Sequence, residues 1–217
     1  MRLISTATLK LEEFDYPGTP PYAILSHTWG PGEYTYDDIQ KCRRKLENGS
    51  GWLKVQHTAR RAAIDGLRYC WVDTCCINKA NHSELSEAIN SMYDWYKEAQ
   101  RCYAYLEDVE RGDDISKPDS GFRKSRWFTR GWTLQELIAP TELTFYNRQW
   151  EHIGSKKDLP QTLSEITRIP RRFLLGDPLW HASVAQRMSW VSRRRTTKPE
   201  DIAYCMMGIF DVHMPLL

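Results

Sequence analysis

The chain of 217 residues lacks any apolar run near the ~18 residues that cross a bilayer, so the sequence offers no membrane-spanning helix. The first residues, MRLISTATLKLEEF, are interrupted by Lys10, Glu12 and Glu13 and contain no secretory apolar stretch, which places the expected location in the cytoplasm. An excess of one charge is also missing. Thirty basic against 28 acidic residues leave +2, too little to require nucleic acid as a partner. The cysteines lack metal-ligand spacing: Cys70, Cys75, Cys76 and His82 form no C-x-x-C pair, and no metal is expected. There is no G-x-S-x-G elbow, and Gly30-Pro31-Gly32 is a lone G-x-G with Thr35 in place of a third glycine, more consistent with a turn than a phosphate cradle. Internal repeats and low-complexity segments are absent.

What the chain does have is a large aromatic and apolar complement, with 9 Trp, 11 Tyr and 6 Phe in a sequence that is 41% hydrophobic and 27% charged. That is the composition of a packed globule. Its six cysteines, Cys42, Cys70, Cys75, Cys76, Cys102 and Cys205, lie mostly inside apolar segments and read as reduced, buried thiols. The basic excess sits late, in Arg168, Arg171 and Arg172 and in Arg193, Arg194 and Arg195, as either a solvated face or a phosphate-binding patch.

Short apolar runs at Tyr22 to Ser26, Tyr69 to Asp73, Cys102 to Leu106 and Leu143 to Tyr146 alternate with helical patterns, the mark of an α/β fold with a mostly parallel sheet flanked by helices. Helices are expected at Leu53 to Leu67, at Ser83 to Gln100 with Asn81 and Glu84 as a capping box, and at Arg130 to Ile138. Glu110 to Gly121 reads as a surface loop. After Trp150 the pattern is helical alone, at about Lys156 to Thr167, Ser183 to Arg193 and Glu200 to Val212. The expected division is therefore a sheet domain over 1–150 and a helical extension over 151–217, with a sheet of about five strands.

In such sheets ligands bind beyond the carboxyl ends of the strands, where this chain is polar: Ser26-His27-Thr28-Trp29-Gly30 and Asp73-Thr74-Cys75-Cys76-Ile77-Asn78. The strand ends at Ser26, Asp73 and Leu106 are expected to open onto one crevice. A Ser26/His27/Asp73 triad is disfavoured, because adjacent residues on a strand face opposite ways. A thiol dyad of Cys75 or Cys76 with His27 competes with the plainer reading of both thiols as core. Trp132 and Glu136, four apart, would share one helix face and set an indole beside a carboxylate, an arrangement suited to a flat cationic ring attached to a sugar. The plainer alternative makes Trp132 core and pairs Glu136 with Arg130.

The strings PPYAILSHTWG (Pro20 to Gly30), YCWVDTCCINK (Tyr69 to Lys79), AINSMYDWYKEAQRCYAYL (Ala88 to Leu106) and SRWFTRGWTLQELIAP (Ser125 to Pro140) closely resemble the fungal heterokaryon incompatibility, or HET, domain. AQRMSW (Ala185 to Trp190) and EDIAYCMMGIFDVHMPLL (Glu200 to Leu217) resemble the segment that follows this domain in the family's multidomain members. The resemblance implies an N-terminal effector of an NLR-like protein that triggers cell death on non-self recognition, joined to a nucleotide-binding oligomerisation module and repeats. The HET domain is in turn similar to the TIR domain, and Trp132-Thr133-Leu134-Gln135-Glu136-Leu137 resembles the W-C-L-x-E-L helix of TIR domains, with Thr133 in place of the usual Cys.

That likeness implies a TIR-like, flavodoxin-type sheet and cleavage of NAD at its nicotinamide-ribose bond, with NAD as substrate and no cofactor. It carries the catalytic role onto Glu136. Ser26, His27, Trp29, Asp73, Arg130 and Trp132 would bind the substrate. The competing expectation is a non-enzymatic death-signalling module acting by homotypic assembly. The apolar final stretch, Ile202 to Leu217, suggests a fragment that self-associates through C-terminal modules absent from the sequence. A fused oligomeric scaffold should then raise activity or toxicity steeply over the isolated chain, because clustering raises effective concentration, whereas full activity at high dilution would remove assembly as the switch.

Overall fold

A computed structural model describes residues 1–15, 18–41 and 49–214. Its centre is β3 (Tyr22–His27), six consecutive buried residues. A strand buried on both faces is the one expected to lack polar alternation, and YAILSH is apolar until its carboxyl end. It pairs in parallel with β4 (Tyr69–Trp71) on one side and β5 (Arg101–Tyr105) on the other, and β5 pairs in parallel with β6 (Leu143–Tyr146).

The sheet is larger than the five strands expected. β1 (Arg2–Ser5) and β2 (Leu11–Glu13) form an antiparallel hairpin on the β4 edge, and β7 (His152–Ser155) adds antiparallel to β6, giving seven strands in the order β2-β1-β4-β3-β5-β6-β7. β7 also corrects the reading that residues beyond 150 are helical alone. It lies across the expected boundary at 150, within the sheet itself. Four residues, HIGS, with a glycine among them carry too little apolar alternation to signal a strand; pairing with β6 supplies what propensity does not.

Two helical layers cover the sheet, and the short helices α1 (Tyr36–Gln40), α3 (Asp73–Cys76) and α5 (Gly121–Lys124) lie in its connections. α2 (Ser50–Ile64) packs on β3 and β4, and its C-cap Asp65 accepts a hydrogen bond from Tyr103 Oη of β5 at 2.7 Å. On the opposite face lie α4 (His82–Glu98) and α6 (Thr133–Ile138), with Tyr22 Oη donating to Trp95 O at 2.6 Å. Of the expected capping box on α4, the Asn81 half forms, accepting from Glu84 N at 3.2 Å. The Glu84 carboxylate instead takes Arg2 Nη2 at 2.9 Å and Asn78 N at 2.7 Å, because a guanidinium from β1 is a stronger partner than the cap amide. Of the helix expected over Arg130 to Ile138, α6 forms from Thr133 on, and a 3-10 turn, Arg126–Thr129, precedes the stretch. Phe122, Trp127, Phe128 and Phe145 pack beneath them, edge-on except for the tilted Phe128–Phe145 pair, with ring centroids 5.1 to 6.0 Å apart.

The C-terminal helices are shorter than expected. α7 (Pro160–Thr167), α8 (Arg171–Leu174) and α9 (Val184–Val191) are followed by two single turns, α10 (Asp201–Tyr204) and α11 (Met207–Phe210), where one helix from Glu200 to Val212 was expected. Phe173 and Trp190 pack at 5.3 Å within this region. Cys70, Cys75, Cys76, Cys102 and Cys205 are free and buried, while Cys42 lies outside the described residues. Among the described residues no helix is long and apolar enough to cross a membrane.

α11 docks on α4 so closely that a Cβ at Gly208 would overlap Tyr93 Cβ. Alanine in a helix ordinarily gains up to about 1 kcal/mol over glycine. Here the overlap reverses the sign, and Gly208→Ala is expected to destabilise the chain by about 1 to 3 kcal/mol. A lowered urea midpoint checks this; an unchanged or raised one would show that α11 does not pack as described.

Candidate active site beneath the central strand

Strand alternation divides the polar residues at the end of β3. Ser26 faces α4 and α6, and His27 faces α2. The expected single crevice is therefore two clusters back to back across β3, which corrects the sequence reading for a reason that lies in the strand's own twofold period.

On the α4 and α6 side, Ser26 Oγ donates to Glu136 Oε2 and accepts from Trp127 Nε1 at 2.8 Å. Ser26 and Trp127 are fully buried, and Glu136 is 8% exposed. Tyr96 of α4 also hydrogen-bonds Glu136, while Tyr96 Oη donates to Leu25 O at 2.9 Å. Burial, reinforced by the Asp73 charge, pushes the Glu136 carboxyl up to about 8 against the pull of Ser26, Tyr96 and Arg194. At neutral pH the resting carboxyl is predominantly neutral, where the sequence alone would leave it ionised.

On the α2 side, His27 Nε2 meets Asp73 Oδ1 at 2.9 Å, and Trp29 Nε1 donates to Asp73 Oδ2 at 2.8 Å. Burial would raise the Asp73 carboxyl, but Lys79, His27 and Trp29 together hold it well below the usual range. His27 Nδ1 is buried without a hydrogen-bond partner, 3.9 Å from Glu33 Oε2. Glu33 in turn accepts from buried Lys54 at 2.6 Å. Trp29 is 53% exposed, with Lys79 Nζ stacked 3.4 Å from its ring centroid, so the indole forms the rim of this cluster. Asp73 links the two sides: it holds His27 directly, and its charge acts on Glu136.

Trp132 and Arg130 sit differently from expectation. Trp132 Nε1 donates to Asp201 Oδ2 of α10 at 3.2 Å, and the indole that enters the Glu136 network is Trp127. Arg130 Nη2 donates to Thr197 Oγ1 at 3.1 Å, and the guanidinium acting on Glu136 is Arg194. Arg194 is 7% exposed, which corrects its reading as part of a solvated or phosphate-binding run. Sequence reasoning missed Trp127, Tyr96 and Arg194. Tyr96 carried a signal in its core spacing on α4, and Trp127 sits inside the SRWFTRGW string, but nothing local marks Arg194 apart from its neighbours. A groove of about 600 Å³ lined by residues including Tyr93, Pro140, Phe173, Trp180 and Phe210 adjoins the far end of α6 rather than the Glu136 carboxyl.

The fold and this site define an α/β domain with a buried carboxyl at the carboxyl ends of parallel strands, next to the β3/β5 position where strand order reverses. Residues 22–120 match the family model "Heterokaryon incompatibility protein (HET)". The chain is 48% identical over 204 residues to "Vegetative incompatibility protein HET-E-1" of Podospora anserina, an alignment covering 91% of this chain and 15% of that protein. The chain thus spans about one seventh of that relative's length. No solved structure matches it. The family match ends at 120, before Trp127, Glu136 and Arg194.

Because Glu136 is protonated in the native state up to about pH 8 and ordinarily ionises near 4.5, the native state binds the extra proton between those values. Stability from this group is fully present below about 4.5 and falls as pH rises through 8, by on the order of a few kcal/mol. Glu136→Gln should flatten that slope and exceed wild type in urea stability at pH 8.5. Parallel stability curves for the two proteins between pH 5.5 and 8.5 would contradict a buried neutral Glu136. Ser26→Ala leaves the Trp127 indole N–H without its acceptor and should cost about 1 to 3 kcal/mol in the same assay.

Proposed function

We propose that this chain is an effector domain acting in heterokaryon incompatibility, within a longer NLR-like protein, and that it kills by hydrolysing NAD at the nicotinamide-ribose bond. The observation that carries this reading is the Glu136 carboxyl, buried and held by Ser26 at the carboxyl end of the central strand. Supporting it, the parallel strands run β4-β3-β5-β6, with the first in the chain between the second and third, the order of a flavodoxin-type sheet and in keeping with a TIR-like fold.

In the proposed reaction the C1′–N bond of NAD breaks, its electron pair leaves with neutral nicotinamide, and a water oxygen bonds to C1′ and releases a proton. Developing positive charge at C1′ is the partner a carboxylate stabilises most, so the bound cationic substrate favours loss of the Glu136 proton to solvent water, and the resulting carboxylate steadies the oxocarbenium-like transition state. Ser26 keeps Glu136 in place. Asp73 acts on Glu136 through its charge and joins it to His27 and to the exposed Trp29 indole on the other face of β3. Glu136 is 8% exposed in the isolated chain, which fits a resting state that opens on assembly.

A non-enzymatic signalling module is the second reading. It draws on the exposed apolar residues Leu175, Trp180, Val184 and Met188 around α8 and α9, of which Trp180 is 78% exposed. Under the hydrolase reading, clustered wild-type domain releases nicotinamide from NAD, and Glu136→Gln lowers the rate at least about 100-fold. Equal release by the two proteins, or none by clustered wild type, overturns it. Cell killing that survives Glu136→Gln but is lost on Trp180→Ser supports the signalling module instead.

A further inference from the structure

Arg194 is the middle of three consecutive arginines, buried between two exposed neighbours. Burying a guanidinium costs several kcal/mol unless its donors are met. Nη1 is met: it donates to Arg130 O at 2.8 Å and Thr133 Oγ1 at 2.9 Å, the residues that lead into α6. Nη2 is buried with no hydrogen-bond partner. The backbone beside it is fixed, with Arg195 N donating to Thr129 O at 2.7 Å and Gly131 N to Arg195 O at 2.9 Å. A Cβ at Gly131 would lie 2.5 Å from Thr196 Cγ2 and 3.2 Å from Cys205 Sγ, so glycine is what lets the two segments approach this closely.

The groups acting on Glu136 come from every element around it: Ser26 of β3, Tyr96 of α4, Asp73 at the start of α3 (Asp73–Cys76), and Arg194. Cys102 of β5 and Cys205 also lie within its field. Of the four strongest, only Arg194 is cationic. Of the acids that act on its charge, Cys205 is a thiol that burial keeps neutral, which leaves Glu136.

We propose that Arg194 is a positioning residue of the Glu136 site, fixing the start of α6 through Nη1 and keeping Nη2 as the donor that the carboxylate takes when Glu136 ionises. The proposal rests on the reading of Glu136 as the reacting carboxyl. Its consequence is that the site is completed from residues 194–205, well outside the stretch 22–120 that matches the family.

The test is a carbon-13 NMR titration of the glutamate side-chain carboxyls in the 217-residue chain, with the Glu136 signal assigned by its loss in Glu136→Gln. Wild-type Glu136 should titrate near 8. Arg194→Gln, which removes the cation, should raise that midpoint by about one unit, a tenfold change in the ionisation constant. Arg194→Lys, which keeps a charge, should fall between the two. An unchanged midpoint in folded Arg194→Gln overturns the proposal. If Arg194→Gln does not fold, Thr133→Val decides: by removing the hydroxyl that anchors Nη1 it should also move the midpoint, and an unchanged value leaves Arg194 as packing only. These titrations need no substrate. A shifted midpoint without nicotinamide release from clustered wild type would retain Arg194 as the partner of Glu136 while the hydrolase reading falls. If nicotinamide is released, the pH profile of kcat should move with the midpoint in Arg194→Gln.

Discussion

The hydrogen bond from Ser26 to Glu136 joins residues 110 apart in sequence and sets the terms for what surrounds it. A carboxyl at this depth is tolerated only if it is neutral or fully partnered. With Ser26 and Tyr96 both against it, Glu136 joins a chain of groups from the Trp127 indole through Ser26, Glu136 and Tyr96 to the Leu25 carbonyl. That chain ties together the central strand, the long helix α4 and the short helix α6. A six-residue helix has little stability of its own. α6 is held at its start by Arg194 and at its end by buried Lys156, whose ammonium donates to Leu137 O at 3.0 Å, to Ile138 O at 3.3 Å and to Pro140 O.

Burial of that ammonium pulls the Lys156 pKa down to about 8, within reach of the Glu136 value. The two groups act on the same short helix, Glu136 from within it and Lys156 on the carbonyls at its end. Lys156 works as a cation on carbonyls at the helix C-terminus, where the helix dipole favours positive charge. Glu136 works as a neutral acid inside the layer. Alkaline conditions thus weaken both attachments of α6 at once, one by ionising an acid in an apolar site and the other by neutralising a base.

Parallel strands and long helices were legible in the sequence because their signals are local. YAILSH is apolar without alternation, and the α4 positions Ala88, Met92, Tyr96 and Ala99 repeat at helical spacing and are buried. The antiparallel additions β1, β2 and β7 were not legible, since three- and four-residue strands draw their stability from the neighbour they pair with. The site followed the same division. Glu136 stood out through a motif, whereas Arg194 is one of three like residues whose difference is created by a backbone crossing at Gly131 some 60 residues earlier. The divergence of Ser26 from His27 was foreseeable from strand geometry alone, and a single crevice shared by both conflicts with it.

The stretch that matches the family ends at residue 120, in the connection after β5 that leads to Trp127 and to the helix that carries Glu136. A recombination event that exchanged only this stretch between two relatives would deliver the Ser26 strand from one parent and the acid, its indole and its guanidinium from the other. Each chimaera would have to rebuild a buried hydrogen-bond network from parts that had never been selected together. The heritable unit of this site is therefore longer than the recognisable family segment, and crossovers that preserve it belong upstream of β3 or downstream of α11.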